Sequence, residues 1–525
     1  MTTRLFWLIL ISATGSVLAL LWRSEIPLGV PGEWTWRRID VTAENWSEVW
    51  LGWVIAAVGA VPLLLVARLG VTRIGPTTRL GTCGWLLGLL AGGFCWLWLL
   101  QESPPSGHRL SKSAFVLYYP SASGYFHEIR NQDDLPEFLA NYEQTMAQGD
   151  VLHIGTHPPG LFILYDFTYR LCHSSPRFSA TILSTAPESV QEAFEIIAER
   201  SQGTDAALTE TDAATLWLVT LLTQLFCVST IIPLFLLIRE THDRLTSWKT
   251  VALWPLLPAI GVFLPKSDAL YPAIAAWFVY LWSTGLSRRS LWRAALAGVV
   301  LWCGLLMSLA LLPAALVGGL YCVLDPFQTL RNRETDRFDL PGVLKLIGCA
   351  AAGFALTTLV FGISYRVNLL SVWGLNLTNH AAFYGQYPRT YWKWLLVNPI
   401  EFSLSLGAPV AVVLLAALYR TAADSKHERT LPPTRWIACA VVMTLLWLSG
   451  KNMGEAARLW IVLMPGILWL CADFFADDGL TDARDETGTS HHHGVWLAVL
   501  LCQALCCTAT VTRVFGFFQE TGPSS

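Results

Sequence analysis

A short polar segment, Gly149–Gly160, carries the side chains that proton transfer and phosphate binding need. Asp150 is a candidate general base for an acceptor hydroxyl. His157, placed directly before a Pro-Pro pair, is a candidate hydrogen-bond donor to a phosphate or hydroxyl, and His153 precedes it by one helical turn. The glycine and prolines around them argue against one continuous helix, so joint metal ligation by Asp150, His153 and His157 is the weaker interpretation.

Three more candidate carboxylates precede this segment in the same polar region, residues 101–157. Asp134 and Asp133 follow Asp150 as candidates for the base, and Glu128 comes last. The Asp133-Asp134 pair stands before Leu135 and Pro136, which is also typical of an acidic turn that caps a helix.

Two pairs of opposite charges lie where apolar runs begin. Lys266 and Asp268 flank a serine in a tight turn, while Glu455 and Arg458 are three residues apart at the start of a later run. Each pair could simply form an internal ion pair. The functional interpretation makes Lys266 and Arg458 ligands of a phosphate, because ionisable groups near membrane depth are costly to keep.

Polar and aromatic side chains alternate through residues 374–392, which include Asn379, His380 and Arg389. Aromatic platforms beside amides and hydroxyls suit a sugar ring. A belt of aromatic residues at the membrane interface explains the same pattern equally well.

The elements that must position these residues are apolar helices. The chain has 525 residues, of which 54% are hydrophobic and only 14% are charged, far fewer charges than the roughly 25% of a soluble protein. Apolar runs of membrane-spanning length recur throughout. We therefore predict an all-α polytopic membrane protein with about 13–14 spans. The net charge of −3 gives no argument for a nucleic-acid partner.

The short basic loops orient these spans if they lie in the cytoplasm. Four segments then share the outer face: 101–157, 265–268, 364–397 and 449–458. This requires residues 158–212 to cross the membrane an even number of times. Either 158–172 is re-entrant, or a second short span lies near 178–188. The remaining predicted spans are 5–22, 49–67, 82–100, 213–238, 249–264, 269–285, 291–306, 309–323, 341–363, 398–419, 435–449, 456–472 and 495–511.

Two motifs resemble the membrane-embedded GT-C glycosyltransferases, in the branch with protein O-mannosyltransferases and lipid A aminoarabinose transferases. That branch begins a helix after its large outer loop with His-Pro-Pro, matched here by His157, Pro158 and Pro159. It also carries a basic residue and then a proline at a late loop-to-helix junction, matched by Arg458 and Pro465. The family's usual aspartate directly after the preceding helix is not matched, since Gln101-Glu102-Ser103-Pro104 stands there.

The resemblance implies a glycosyltransferase core over residues 81–525, with residues 1–80 as additional N-terminal helices. It implies transfer of a sugar from a polyprenyl-phosphate donor on the outer face of an inner (plasma) membrane. Membrane lipids are further partners, no cofactor is required, and a divalent metal is possible. Two alternatives stay open: a transporter or flippase of a lipid-linked or anionic solute, and a polysaccharide polymerase or ligase.

Overall fold

The computed structural model describes residues 2–132, 134–149, 154–204, 206–331, 339–428, 431–476 and 490–517. Within these ranges nine helices are long and apolar enough to cross a membrane, and three shorter apolar helices accompany them. This confirms the prediction of an all-α polytopic membrane protein. The sequence expectation of about 13–14 spans exceeds the nine long helices because several apolar runs are broken or short, as described below.

The N-terminal part contains three helices of membrane-spanning length, and a small hairpin separates the first two. Strands β1 and β2 pair antiparallel, and β2 also pairs with β3 from the far end of the chain. The elements are α1 (Thr3–Trp22), β1 (Leu28–Val30), β2 (Trp34–Arg38), α2 (Trp46–Arg73) and α3 (Arg79–Gln101).

The polar region after α3 folds into short helices rather than an open loop. We call the end of the helices from which it emerges the loop end. Its elements, with those that follow directly, are α4 (Lys112–Tyr118), α5 (Tyr125–Arg130), α6 (Leu135–Ala140), α7 (Tyr142–Ala147), α8 (Gly160–Ser174), α9 (Pro176–Leu183) and α10 (Glu188–Ser201).

The rest of the chain forms the main helical body. Its elements are α11 (Glu210–Ser229), α12 (Ile231–Ile238), α13 (Arg244–Val251), α14 (Pro258–Phe263), α15 (Tyr271–Ser287), α16 (Leu291–Met307), α17 (Leu312–Arg331), α18 (Leu340–Tyr365), α19 (Leu369–Gln386), α20 (Tyr391–Leu406), α21 (Ala408–Glu428), α22 (Thr434–Leu448), α23 (Ala456–Leu459), α24 (Met464–Ala476), α25 (Ser490–Val511) and β3 (Val514–Phe515).

Several predicted spans are divided into more than one helical element, and in two of them proline or glycine explains the division. The run 249–264 divides into α13, a 3-10 turn and α14, because Pro255 and Pro258 lack the N–H that a continuing helix needs. The run 398–419 divides into α20 and α21 at Gly407, whose φ of +88° is left-handed and favours glycine.

Residues 158–212 begin and end at the loop end. Ser189 in the first turn of α10 donates a 2.7 Å hydrogen bond to Glu102, directly after α3. Cys172, near the end of α8, packs on Ala214 and Leu218 in the first half of α11. With its 15 residues, α8 is about 22 Å long, shorter than the roughly 30 Å of hydrocarbon. Both α8 and α9 are therefore shorter than a full crossing of the hydrocarbon.

Candidate functional site

Four predicted residues meet at the loop end, and we call them the charged cluster: Lys266, Asp268, Glu455 and Arg458. Arg458 Nη2 lies 3.0 Å from Glu455 Oε1, and its Nε lies 3.8 Å from Asp268 Oδ2. Lys266 lies close enough to the other three side chains to interact electrostatically with each of them. Two turns that are almost 200 residues apart in sequence are thus joined through one guanidinium.

The turn before α23 has a strained backbone, and hydrogen bonds to one tyrosine stabilise it. Glu455 has a φ of +59°, a left-handed conformation that is uncommon for a residue with a side chain, and Gly454 before it has +81°. Tyr384 of α19 fixes this turn, because its hydroxyl donates to Lys451 O at 2.7 Å and accepts from Met453 N at 2.8 Å. The conformation directs Glu455 back onto Arg458.

The charged cluster has two positive and two negative side chains, but not all of its hydrogen-bond donors have an acceptor. Among the described residues, Nε of Arg458 is buried without an acceptor, and the 3.8 Å separation from Asp268 is too long for a hydrogen bond. Burial and the neighbouring Arg458 lower the pKa of Lys266 to about 8, against the opposing effects of Asp268 and Glu455. Lys266 also donates to the carbonyl of Ala122. The cluster therefore has unused donor capacity that an anion could take.

Tyr125 connects the charged cluster to His157. Burial raises its pKa well above the usual value, and nearby Tyr271 and Asp268 raise it further, so Tyr125 is a neutral hydrogen-bonding group. Its ring centroid lies 5.7 Å from that of His157 in an edge-on arrangement. No spacing rule in the sequence marked Tyr125 or Tyr271 as part of this site.

His157 lies in a turn that Asn379 supports. Asn379 Nδ2 donates to Gly155 O at 2.8 Å and to Met146 O at 3.1 Å, which ties α19 to the 3-10 turn before His157. The imidazole of His157 exchanges a 3.1 Å hydrogen bond with Thr156 Oγ1. The ring of His380 lies 6.5 Å from it; burial lowers the pKa of His380, and Lys451 lowers it further, outweighing a hydrogen bond to Thr156.

The helix after His157 begins at Gly160, and both prolines precede it. This first residue has to be glycine, since a Cβ on Gly160 would lie 2.6 Å from Leu306 O. Only glycine allows the first turn of α8 to approach α16 this closely.

Arg389 contacts the N-terminal hairpin and also lies beside the turn of the charged cluster, since a Cβ on Gly454 would lie 3.6 Å from its Nε. It donates to the carbonyl of Glu33, and its guanidinium lies 5.5 Å from the ring centroid of Trp34. The Glu33 carboxylate accepts four hydrogen bonds of 2.6–3.0 Å, two from Thr390 and one each from Lys393 and Trp394. Burial raises its pKa, but these bonds outweigh that effect and lower the pKa to about 2.

Two of the other carboxylates that the sequence suggested lie within the described residues, and neither is in the charged cluster. Glu128 accepts a 3.0 Å hydrogen bond from Gln132. Exposed Asp134 stands at the N-cap position of α6, as the capping interpretation expects, but its side chain makes no capping hydrogen bond among the described residues. Asp133, Asp150 and His153 lie outside the described residues, so the possible ligation of a metal by Asp150, His153 and His157 is untested. Within the described part of the chain, no three His, Cys, Asp or Glu side chains converge as metal ligands would.

No protein-family model matches the chain, and a search of curated proteins finds no significant match.

Proposed function

We propose that the chain is a membrane glycosyltransferase that transfers a sugar from a polyprenyl-phosphate donor to an acceptor on the outer face of an inner (plasma) membrane. The observation that carries this proposal is the meeting of Lys266 and Arg458 beside Tyr125 and His157 at the ends of apolar helices. A lipid-linked phosphate needs this combination: cationic donors at the end of a helical body whose sides suit hydrocarbon.

In this scheme the acceptor hydroxyl attacks the anomeric carbon while the bond from that carbon to the phosphate oxygen breaks. Arg458 and Lys266 stabilise the negative charge that develops on the leaving phosphate, which is the larger catalytic contribution. The free Nε donor of Arg458 and the protonated amine of Lys266 are available for this role. His157 adds a hydrogen bond to the phosphate or to a sugar hydroxyl.

A carboxylate takes the proton of the acceptor. Asp150 is the first choice from sequence, before Asp134, Asp133 and Glu128. Asp268 is a further candidate, because it is a carboxylate already beside the phosphate-binding cations.

The test is sugar transfer from a panel of radiolabelled polyprenyl-phosphate sugars by the purified chain in lipid vesicles. Arg458→Ala and Lys266→Ala should reduce transfer by about 100-fold or more. Asp150→Asn and Asp268→Asn should identify the base, since only the true base variant should abolish transfer with donor binding retained. The matched control is Arg177→Ala, an exposed arginine of α9.

Two results would contradict this proposal. Transfer that is unaffected by Arg458→Ala would remove the phosphate-binding role of the cluster. A folded parent chain that transfers sugar from no donor, but moves a lipid-linked or anionic solute across the vesicle membrane, would favour the transporter alternative.

A further inference from the structure

A cavity of about 340 Å³ lies between the N-terminal hairpin, α14 and α20. This volume is near the lower limit of the roughly 300–1,000 Å³ typical of small-ligand sites, so it suits one aliphatic chain. The side chains around it are almost all apolar, among them Leu28, Val262 and Phe263. Ser405 and Thr510 also line it, but both hydroxyls already donate 2.7 Å hydrogen bonds to carbonyls of their own helices.

The cavity opens to an apolar surface. Ile26 and Ile400 both line it and are 61% and 59% exposed. In a membrane protein, large exposed aliphatic side chains face hydrocarbon. A lipid chain can therefore enter from the membrane without crossing water.

One polar group of this cavity is only half satisfied. Glu401 is 6% exposed, and its Oε1 accepts hydrogen bonds from Trp36 Nε1 at 2.7 Å and from Ala457 N at 3.1 Å. The N–H of Ala456 is also nearby, yet Oε2 is buried without a hydrogen-bond partner among the described residues. A buried oxygen without a partner costs roughly 1–3 kcal/mol, which a ligand that supplies a donor would recover.

The surroundings of Oε2 determine which kind of hydrogen-bond donor a ligand can place there. An anionic head group would be repelled by Glu401 and by nearby Glu455. An ammonium would have to lose its water among apolar walls, which is expensive for a charged group. A hydroxyl is uncharged, and it can donate to the carboxylate or accept from the carboxylic acid.

We propose that this cavity binds a single-chain lipid alcohol whose hydroxyl hydrogen-bonds to Oε2 of Glu401. The site is separate from the glycosyltransferase proposal, because its occupant makes no use of Lys266 or Arg458. Binding can therefore succeed where sugar transfer fails, and the reverse also holds.

The test compares ligands that differ only at the head group. Dodecanol, dodecyl methyl ether, dodecylamine and dodecanoate are titrated against the full chain in lipid nanodiscs, at alkaline pH to keep Glu401 ionised. Bound ligand is measured by native mass spectrometry. We expect dodecanol to bind the parent about 10-fold to 100-fold more tightly than the ether, which has no donor.

Glu401→Gln gives the discriminating result. Its amide oxygen still accepts from Trp36 and Ala457, while its NH₂ replaces Oε2 and donates to an ether as well as to an alcohol. The preference for dodecanol over the ether should therefore fall to about 2-fold or less. Ser405→Ala, which changes another lining side chain, should keep the parental preference.

Three results would overturn the proposal: no saturable binding of dodecanol, tighter binding of dodecylamine or dodecanoate than of dodecanol, or an alcohol preference that survives Glu401→Gln. The ligand ratio is measured within each variant, so a modest loss of stability in Glu401→Gln does not obscure it.

Discussion

The apolar segment Ala456–Ala476 carries a buried ionic group near each of its ends, and the two ends are built differently. At the loop end, Arg458 meets Asp268 at 3.8 Å. At the other end, Asp473 accepts from His242 at 2.8 Å, from Arg435 at 2.6 Å and from Trp436 at 2.5 Å. Within the described residues, the Asp473 carboxylate is satisfied on both oxygens, whereas Asp268 makes no hydrogen bond through its carboxylate.

This difference separates a group that holds helices together from a group that is available to a ligand. Asp473 joins α24 to α22 and to the turn after α12 through three hydrogen bonds, although Nε of Arg435 is itself buried without a hydrogen-bond partner among the described residues. The charged cluster joins its turns with fewer bonds and keeps free donors. Buried ionisable groups in a membrane protein are functional candidates by default, and the hydrogen bonding of the aspartate, rather than of the arginine, distinguishes the two ends.

The largest expected effect is on the saturated end. Asp473→Asn removes the charge that pairs with Arg435, which is only 13% exposed, and so leaves a buried cation without compensation. We expect the free energy of unfolding to fall by about 3–5 kcal/mol, measured by denaturant titration in bicelles. The control is Glu240→Gln, which breaks the more exposed pair with Arg288 and should cost under about 1 kcal/mol. Equal, small losses in both variants would remove the distinction between the two ends.

The hairpin offers a saturated carboxylate at the loop end itself. Glu33→Gln weakens four hydrogen bonds, and we expect a loss of about 1.5–3 kcal/mol in the free energy of unfolding. The folded pKa of about 2 lies below the ordinary 4.5. The stabilisation is therefore complete above pH 4.5 and is lost as the pH falls toward 2. Unfolding titrations across that window should show a shallower pH slope in Glu33→Gln, while exposed Glu25→Gln should retain the parental slope.

Sequence reasoning reached the membrane fold, and it placed 265–268 and 449–458 on one face because basic loops alternate with apolar runs. The sequence could not predict the contact between Arg458 and Asp268, because no local pattern encodes a pairing between residues that are so far apart in the chain. Arg389 and Asn379 were grouped because both lie in the same polar and aromatic stretch of the sequence. In the fold, however, Arg389 contacts Glu33 and Asn379 contacts Gly155. Glu401 had a usable signal: it is an ionisable residue inside the predicted span 398–419, which marks a candidate site by default.

Lys266 makes anion binding at the loop end depend on pH. Its pKa of about 8 lies below the ordinary 10.5, so the amine is protonated below pH 8 and neutral above it. Binding of polyprenyl phosphate should weaken by up to about 10-fold for each pH unit above 8, measured by isothermal titration in nanodiscs. Lys266→Arg keeps its charge throughout this range and should flatten the profile. A parental profile that is also flat would show that Lys266 does not contact the phosphate.

The smallest effect on stability, and the sharpest contrast with Asp473, is expected from Asp268→Asn. Removing a carboxylate that makes only a 3.8 Å ion pair should lower the free energy of unfolding by about 1 kcal/mol, because Glu455 at 3.0 Å still compensates the charge of Arg458. The same change frees Arg458 from a competing anion, so polyprenyl phosphate should bind about 2-fold to 5-fold more tightly, the equivalent of that pairing energy. Glu137→Gln, an exposed carboxylate of α6, is the matched control and should change neither quantity. Weaker binding of polyprenyl phosphate in Asp268→Asn would mean that Asp268 orients Arg458 for the phosphate. A loss of several kcal/mol in the free energy of unfolding would mean that the loop end is held together as tightly as the Asp473 end.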